Sequence, residues 1–196
     1  MATDVTTYLS AARLTVAFVK ERVRFGASNR PSDYGESYRR HHQAIEGPNP
    51  NALDKVLGAM TTFLPLLTGA NRAQQIYNEK TGQAPSDPLA RFRQVSDITL
   101  RTGAGNCNEQ SITAFVHLYD MGIRPLAWMY LTSGTHAFVV AGRKPKSGDE
   151  PAKWGDTAVV CDPWNGEAYV LPAETGAGIL QGKWGCATAQ AQFGVE

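Results

Sequence analysis

Gly103-Ala104-Gly105-Asn106-Cys107-Asn108-Glu109-Gln110-Ser111 is the stretch around which the chain is organised. A glycine-rich turn delivers a cysteine to an apolar helix, in which Ile112, Phe115, Val116 and Tyr119 recur at helical spacing and Gly122 offers a stop. Asn106 suits the N-cap, because its side-chain oxygen can accept from an unpaired backbone N–H of the first turn. Glu109 can bond back to the Asn106 N–H, a variant of the capping box. Cys107 then opens the helix, where the positive end of the dipole favours a thiolate, the usual starting point for attack on a carbonyl.

Downstream of Gly122 the pattern turns to strands. Residues 125–131, 136–142 and 157–162 are short, rich in Val, aromatic and apolar residues, and bounded by Gly, Pro, Ser or Asp. A fourth strand is predicted over 167–171, reached through the turn Pro163-Trp164-Asn165-Gly166. Residues 143–155 read as a polar excursion that tolerates insertion. From Pro172 onward Gly, Ala, Thr and Gln dominate, with Ile179, Leu180 and Trp184 as anchors of a loosely held tail.

Upstream, residues 4–25 form an amphipathic pattern with Leu9, Ala12, Val16, Val19 and Val23 on one stripe. A long polar connection over 26–50 carries His41-His42. Asn51 caps a second helix with Leu53, Val56, Leu57, Met60, Phe63 and Leu64 buried, and a short polar helix spans 71–81. Asp87-Pro88, a cap followed by proline at N1, starts a helix bearing Leu89, Phe92, Val95 and Ile98. Helices, then a cysteine helix, then strands predict an α+β fold with an antiparallel sheet. It is read as a single domain over 1–196, with a helical subregion 1–100 and a core at 101–172.

The charge balance excludes some functions. A formal net charge of +1 gives no electrostatic reason to bind nucleic acid or an acidic membrane. No run approaches the ~18 apolar residues of a membrane helix. The three cysteines, 107, 161 and 186, have no framework spacing and read as reduced thiols of a protein folded in cytosol; export by a machine needing no cleaved signal stays open. No C-x-x-C pair is present, so no metal is expected.

Cys107 at a helix start, His136 at the start of one strand and Asp162 at the end of the next make a chemical constellation. A thiol nucleophile needs a base, and the imidazole needs an acceptor that fixes its tautomer. If those two strands pair antiparallel, the start of one lies beside the end of the other, and the cysteine helix can pack across that edge. Each residue also has a plainer reading: Cys107 as a small buried residue, His136 as a strand-end histidine bonded to backbone, Asp162 as a turn cap. His117 is read as structural or exposed, Cys161 as core on the strand face opposite Asp162, and Cys186 as incidental.

Gly-Asn-Cys-Asn-Glu-Gln at 105–110, His-Ala-Phe-Val-Val at 136–140 and Cys-Asp-Pro-Trp at 161–164 resemble the papain-like and transglutaminase-like cysteine enzymes. They are most similar to bacterial effector and toxin domains with catalytic order Cys, His, Asp. The resemblance covers residues 103–166 and none of the N-terminal helices. It implies Cys107 as nucleophile, His136 as base and Asp162 as its orienter. The papain family proper places a glutamine shortly before the cysteine and uses Asn as the third residue; neither holds here. Gln94, Gln75 and Gln74 are open alternatives for the oxyanion donor, beside the Cys107 backbone N–H.

Trp164 and Asn106 are the candidate substrate contacts, with Trp164 equally suited to shielding the Asp–His pair or to plain packing. Asn108 and Gln110 either orient substrate or belong to the helix surface. The expected function is a cysteine-dependent amide hydrolase or acyltransferase, a glutamine deamidase or cysteine protease, needing no cofactor. Its expected partner is a protein substrate in a host or competitor cell, with a chaperone or immunity partner as a further expectation. The alternatives are a transglutaminase, an enzyme for a small amide, and a binding module that kept the fold without the chemistry.

Overall fold

The computed structural model describes residues 4–24, 26–27, 85–134 and 136–196. The helices expected over 51–65 and 71–81, the connection after 27, His41-His42, Gln74 and Gln75 lie outside the described residues.

The elements run α1 (Val5–Arg22), α2 (Pro88–Thr102), α3 (Cys107–Asp120), β1 (Leu126–Leu131), β2 (Ala137–Ala141), a 3-10 turn Pro151–Lys153, β3 (Val159–Asp162), β4 (Glu167–Val170), α4 (Gly176–Trp184) and β5 (Ala189–Val195). The fold is α+β, with one antiparallel sheet in the order β4-β3-β2-β1-β5.

Strand alternation divides the core in two. Leu126, Val139, Ala141, Val159 and Cys161 point to one face and pack with α1, α2 and α3. Met129, Leu131, Phe138, Val140 and Val160 point to the other, against Leu180 of α4 and Trp154. The stripe of α1 holds at Ala12 and Val19, which are fully buried, but Leu9 is half-buried where the neighbouring Tyr8 is buried; Leu14, off the stripe, is 62% exposed. Asp87 caps α2 by accepting from the Ala90 N–H at 2.7 Å, and Gly103 closes that helix at φ 65°, a left-handed conformation suited to glycine.

Two expectations need correction. The chain beyond Pro172 is not a loose tail but contributes α4 and the edge strand β5. Opposite Trp128 and Met129 the β5 register shifts: Trp128 faces Phe193 and Met129 faces Ala191, so Gln192 is the extra residue of a bulge. Ala189 thereby lies in the second core while Phe193, of the same parity, enters the first. There its ring meets Phe92 at 4.9 Å and Phe115 at 5.3 Å. A period-of-two reading cannot register that change of face.

The excursion over 143–155 is likewise tied down. Trp154 is fully buried, its indole N–H donates to the Gly148 carbonyl at 3.0 Å, and the Arg143 guanidinium lies 5.4 Å from its ring. A segment that reads as polar thus carries the largest fully buried side chain described. Trp154→Ala is expected to cost about 3–5 kcal/mol by leaving a cavity in the second core. Urea denaturation measures this, and a loss below about 1 kcal/mol, the scale of surface substitutions, would contradict the packing.

Candidate active site

The site is assembled where α3 and β2 begin and β3 ends. The Asn106 N–H donates to Glu109 Oε2 at 2.9 Å, and the Asn106 side chain approaches the Glu109 backbone N–H to close the capping box loosely. A Cβ on Gly105 would come within 2.8 Å of Glu109 Cβ, so glycine there lets the incoming turn lie close on the helix. Gln110 is 1% exposed, and its Nε2 donates to the Gly105 carbonyl at 2.7 Å. The turn that delivers Cys107 is therefore fixed from inside the helix.

The β2–β3 register pairs Val139 with Cys161 and Ala141 with Val159. Followed toward the other end of the pair, it sets the start of β2 beside the end of β3. His136, just before β2, is 3% exposed, and Asp162, the last residue of β3, is 1% exposed. His136 Nε2 lies 2.8 Å from Asp162 Oδ2. The other carboxylate oxygen accepts from the Asn165 backbone N–H at 3.1 Å, so Asp162 also caps its turn. The Cys107 thiol is near enough to favour the charged imidazole, and with Nε2 engaged by Asp162 the nitrogen left for it is Nδ1.

Burial disfavours the charged imidazole, but its hydrogen bond to Asp162 and the interaction with Cys107, with the charges of both, outweigh it and raise His136 to about 9. At neutral pH the ring is cationic. Tyr130 is pushed up to about 12, by burial first and then by the charges of Cys107 and Glu109. Its hydroxyl stays a donor, to Asn108 Oδ1 at 2.6 Å. In the same way the Trp128 indole N–H donates to Ser111 Oγ at 2.9 Å, so β1 holds α3 by two aromatic side chains.

The structure thus brings Cys107, His136 and Asp162 together. Trp164 lies beside them, its ring 5.2 Å from that of His136 at 58°. Asn106 serves as helix cap, and Gln110 is interior rather than helix surface. Gln94 is buried in α2. His117 is structural: it bonds Thr15 Oγ1 at 2.9 Å through Nδ1 and stacks on Phe18 at 4.0 Å. Cys161 is fully buried on the first sheet face, where burial, reinforced by the Asp162 charge, pushes its thiol up. Among the described residues no cluster of His, Cys, Asp or Glu could hold a metal, and no helix is long and apolar enough to cross a membrane.

Sequence reasoning missed two residues here. Trp184, the last residue of α4, stacks on His136 with ring centroids 3.9 Å apart and planes at 19°. Cys186, just beyond, is not incidental: its thiol lies 3.3 Å from Thr132 Oγ1 and 3.3 Å from the Thr188 carbonyl. Hydrogen bonding from Thr132, then with Thr188 and Ser133, lowers it to about 6. The only signal in the sequence was a tryptophan and a cysteine within a few residues of each other in an otherwise small-residue segment.

A cleft of about 500 Å³ runs along α3 from Asn108 and Glu109 between Phe92, Ile112, Trp128 and Phe193. It begins at the residues next to Cys107 but flanks the triad rather than containing it. Comparison of the chain with protein-family models, curated proteins and solved structures returns no match. The site therefore stands on its geometry.

Two measurements follow from these environments. Mass-spectrometric mapping of iodoacetamide labelling at neutral pH should find Cys186 modified readily and Cys161 not at all in the folded protein. Labelling of Cys161 at a comparable rate would contradict its burial. Because His136 is raised on folding, its contribution to stability is fully present below the ordinary imidazole value of ~6.5 and is lost as pH rises through about 9. Urea midpoints should fall over that window in the wild type and fall less in Asp162→Asn; equal slopes would contradict the pairing.

Proposed function

We propose that the protein is a cysteine-dependent amide hydrolase or acyltransferase of papain-like or transglutaminase-like architecture. The observation that carries this reading is the buried His136–Asp162 hydrogen bond at 2.8 Å beside Cys107 at the start of its helix, with the imidazole held cationic by both neighbours. A cationic base beside a thiol at a helix N-terminus is the arrangement that activates sulfur for attack.

In this mechanism Cys107 Sγ attacks the amide carbonyl, its proton having passed to His136. The oxyanion forms near the Cys107 backbone N–H, a first-turn donor with no partner inside the helix. Collapse breaks the C–N bond, and His136 returns its proton to the leaving nitrogen, giving a thioester and a free amine or ammonia. Water then gives up a proton to His136 and attacks the thioester, releasing a carboxylic acid and the Cys107 thiol. Asp162 keeps the imidazole oriented throughout and favours its charged form.

A peptide substrate makes this proteolysis and a glutamine side chain makes it deamidation; an amine in place of water makes a cross-link. The substrate class favoured is protein amide. The effector or toxin setting, and with it a chaperone or immunity partner, rests on the resemblance of residues 103–166. The binding-module reading is disfavoured by the ordered triad, since a fold that had lost its chemistry has no need of a buried cationic imidazole.

The test is to incubate wild type and Cys107→Ala with a bacterial lysate and map changes by mass spectrometry. New N-termini mark a protease, Gln-to-Glu conversions a deamidase, and isopeptide links a transglutaminase. All should vanish in Cys107→Ala, whose melting curve should stay near that of the wild type. Activity that survives in Cys107→Ala would overturn the reading.

A further inference from the structure

The imidazole of His136 is held from two sides that the sequence pattern connects only weakly. Asp162 takes its Nε2 at 2.8 Å, and the Cys107 thiol is near enough to favour the charged ring. Its face is covered by Trp184, centroid to centroid at 3.9 Å and nearly parallel at 19°. Trp164 approaches the same ring at 5.2 Å but tilted by 58°, and the two indoles lie 6.0 Å apart. Phe138 is also nearly parallel at 25° but 6.1 Å away, so Trp184 is the close flat contact.

Its own placement is determined by the second sheet face. Trp184 ends α4, which Leu180 fixes in the second core, and Gly185 follows in a left-handed conformation at φ 67°. The indole N–H approaches the buried Tyr169 hydroxyl of β4, an oxygen with no partner at full hydrogen-bond geometry among the described residues. Lys183 lies over the Tyr169 ring at 5.2 Å and pairs with Glu167 at 2.6 Å.

We propose that Trp184 is a positioning residue of this site, lying flat on the His136 ring so that its two nitrogens stay aligned on Asp162 and Cys107. The inference rests on the reading of that trio as catalytic. An indole face is also a favourable partner for a cation, so the stack stabilises the imidazolium over the neutral ring while keeping water off one side of it. The groups that set the charge state of His136 are Asp162 and Cys107 in direct contact; behind Trp184 stand Tyr169, Lys183 and Glu167. Nothing in this arrangement requires Trp184 to touch the substrate.

The experiment is the pH dependence of Cys107 alkylation by iodoacetamide, measured in a Cys186→Ser background so that the second reactive thiol is silent. Trp184→Met keeps bulk and loses the ring face, whereas Trp184→Phe keeps a ring. Trp184→Leu is a second variant that loses the ring face. For Trp184→Met, the inflection assigned to His136 should move down by roughly half to one pH unit, and the rate at neutral pH should fall roughly three- to tenfold. Trp184→Phe should stay near the wild type, and Trp184→Leu should move the same way as Trp184→Met.

A folded Trp184→Met with the wild-type profile overturns the proposal. Should the Met variant fail to fold by its melting curve, Trp184→Leu decides, and an unchanged profile there overturns it equally. Failure of the underlying reading is separately visible: the profile of the Trp184-intact protein would then be the same with and without His136→Ala.

Discussion

A buried imidazole 2.8 Å from a buried carboxylate is the constraint on which the rest of this structure depends. Each group alone would be costly to enclose, and together they are tolerable only if the remaining lone pairs and protons find partners. Asn165 supplies one to Asp162, Cys107 beside the ring favours the charged His136, and Trp184 closes the ring face. None of these comes from a neighbouring turn of one helix. They converge because the ends of β2 and β3 meet in antiparallel register and two helices reach that corner from opposite faces of the sheet.

The two faces make different contributions. From the first, α3 brings Cys107 on a rigid, nearly fully buried helix whose opening turn is fixed by Glu109 and Gln110. From the second, α4 brings Trp184, backed by Tyr169. The three cysteines show how environment separates one side chain into three behaviours: Cys161 is sealed and inert, Cys186 is exposed to reaction on a hydroxyl-rich turn, and Cys107 sits beside a cationic imidazole.

Much of this was legible because it depends on local rules. The Asn106–Glu109 cap, the Asp87-Pro88 start and the stripe of α1 are each set within a turn or two of chain. Alternation placed Cys161 and Asp162 on opposite faces of β3. The C-terminal segment was illegible for a physical reason: the bulge at Gln192 changes which face an odd-numbered residue meets, and Ala-Gln-Ala-Gln carries almost no hydrophobic signal. Trp154 was hidden among lysines and prolines, since the polar composition around it says nothing of where one indole points. The stack of Trp184 on His136 joins elements that only the sheet brings together.

The central claim is that Asp162 and Cys107 hold His136 as a cation in the folded protein, and the most direct measurement is the titration of the His136 ring by NMR. The account predicts a midpoint near 9 in the wild type, falling when Cys107 is replaced by serine and falling further in Asp162→Asn. A wild-type midpoint near the ordinary ~6.5, unchanged by either substitution, would contradict it.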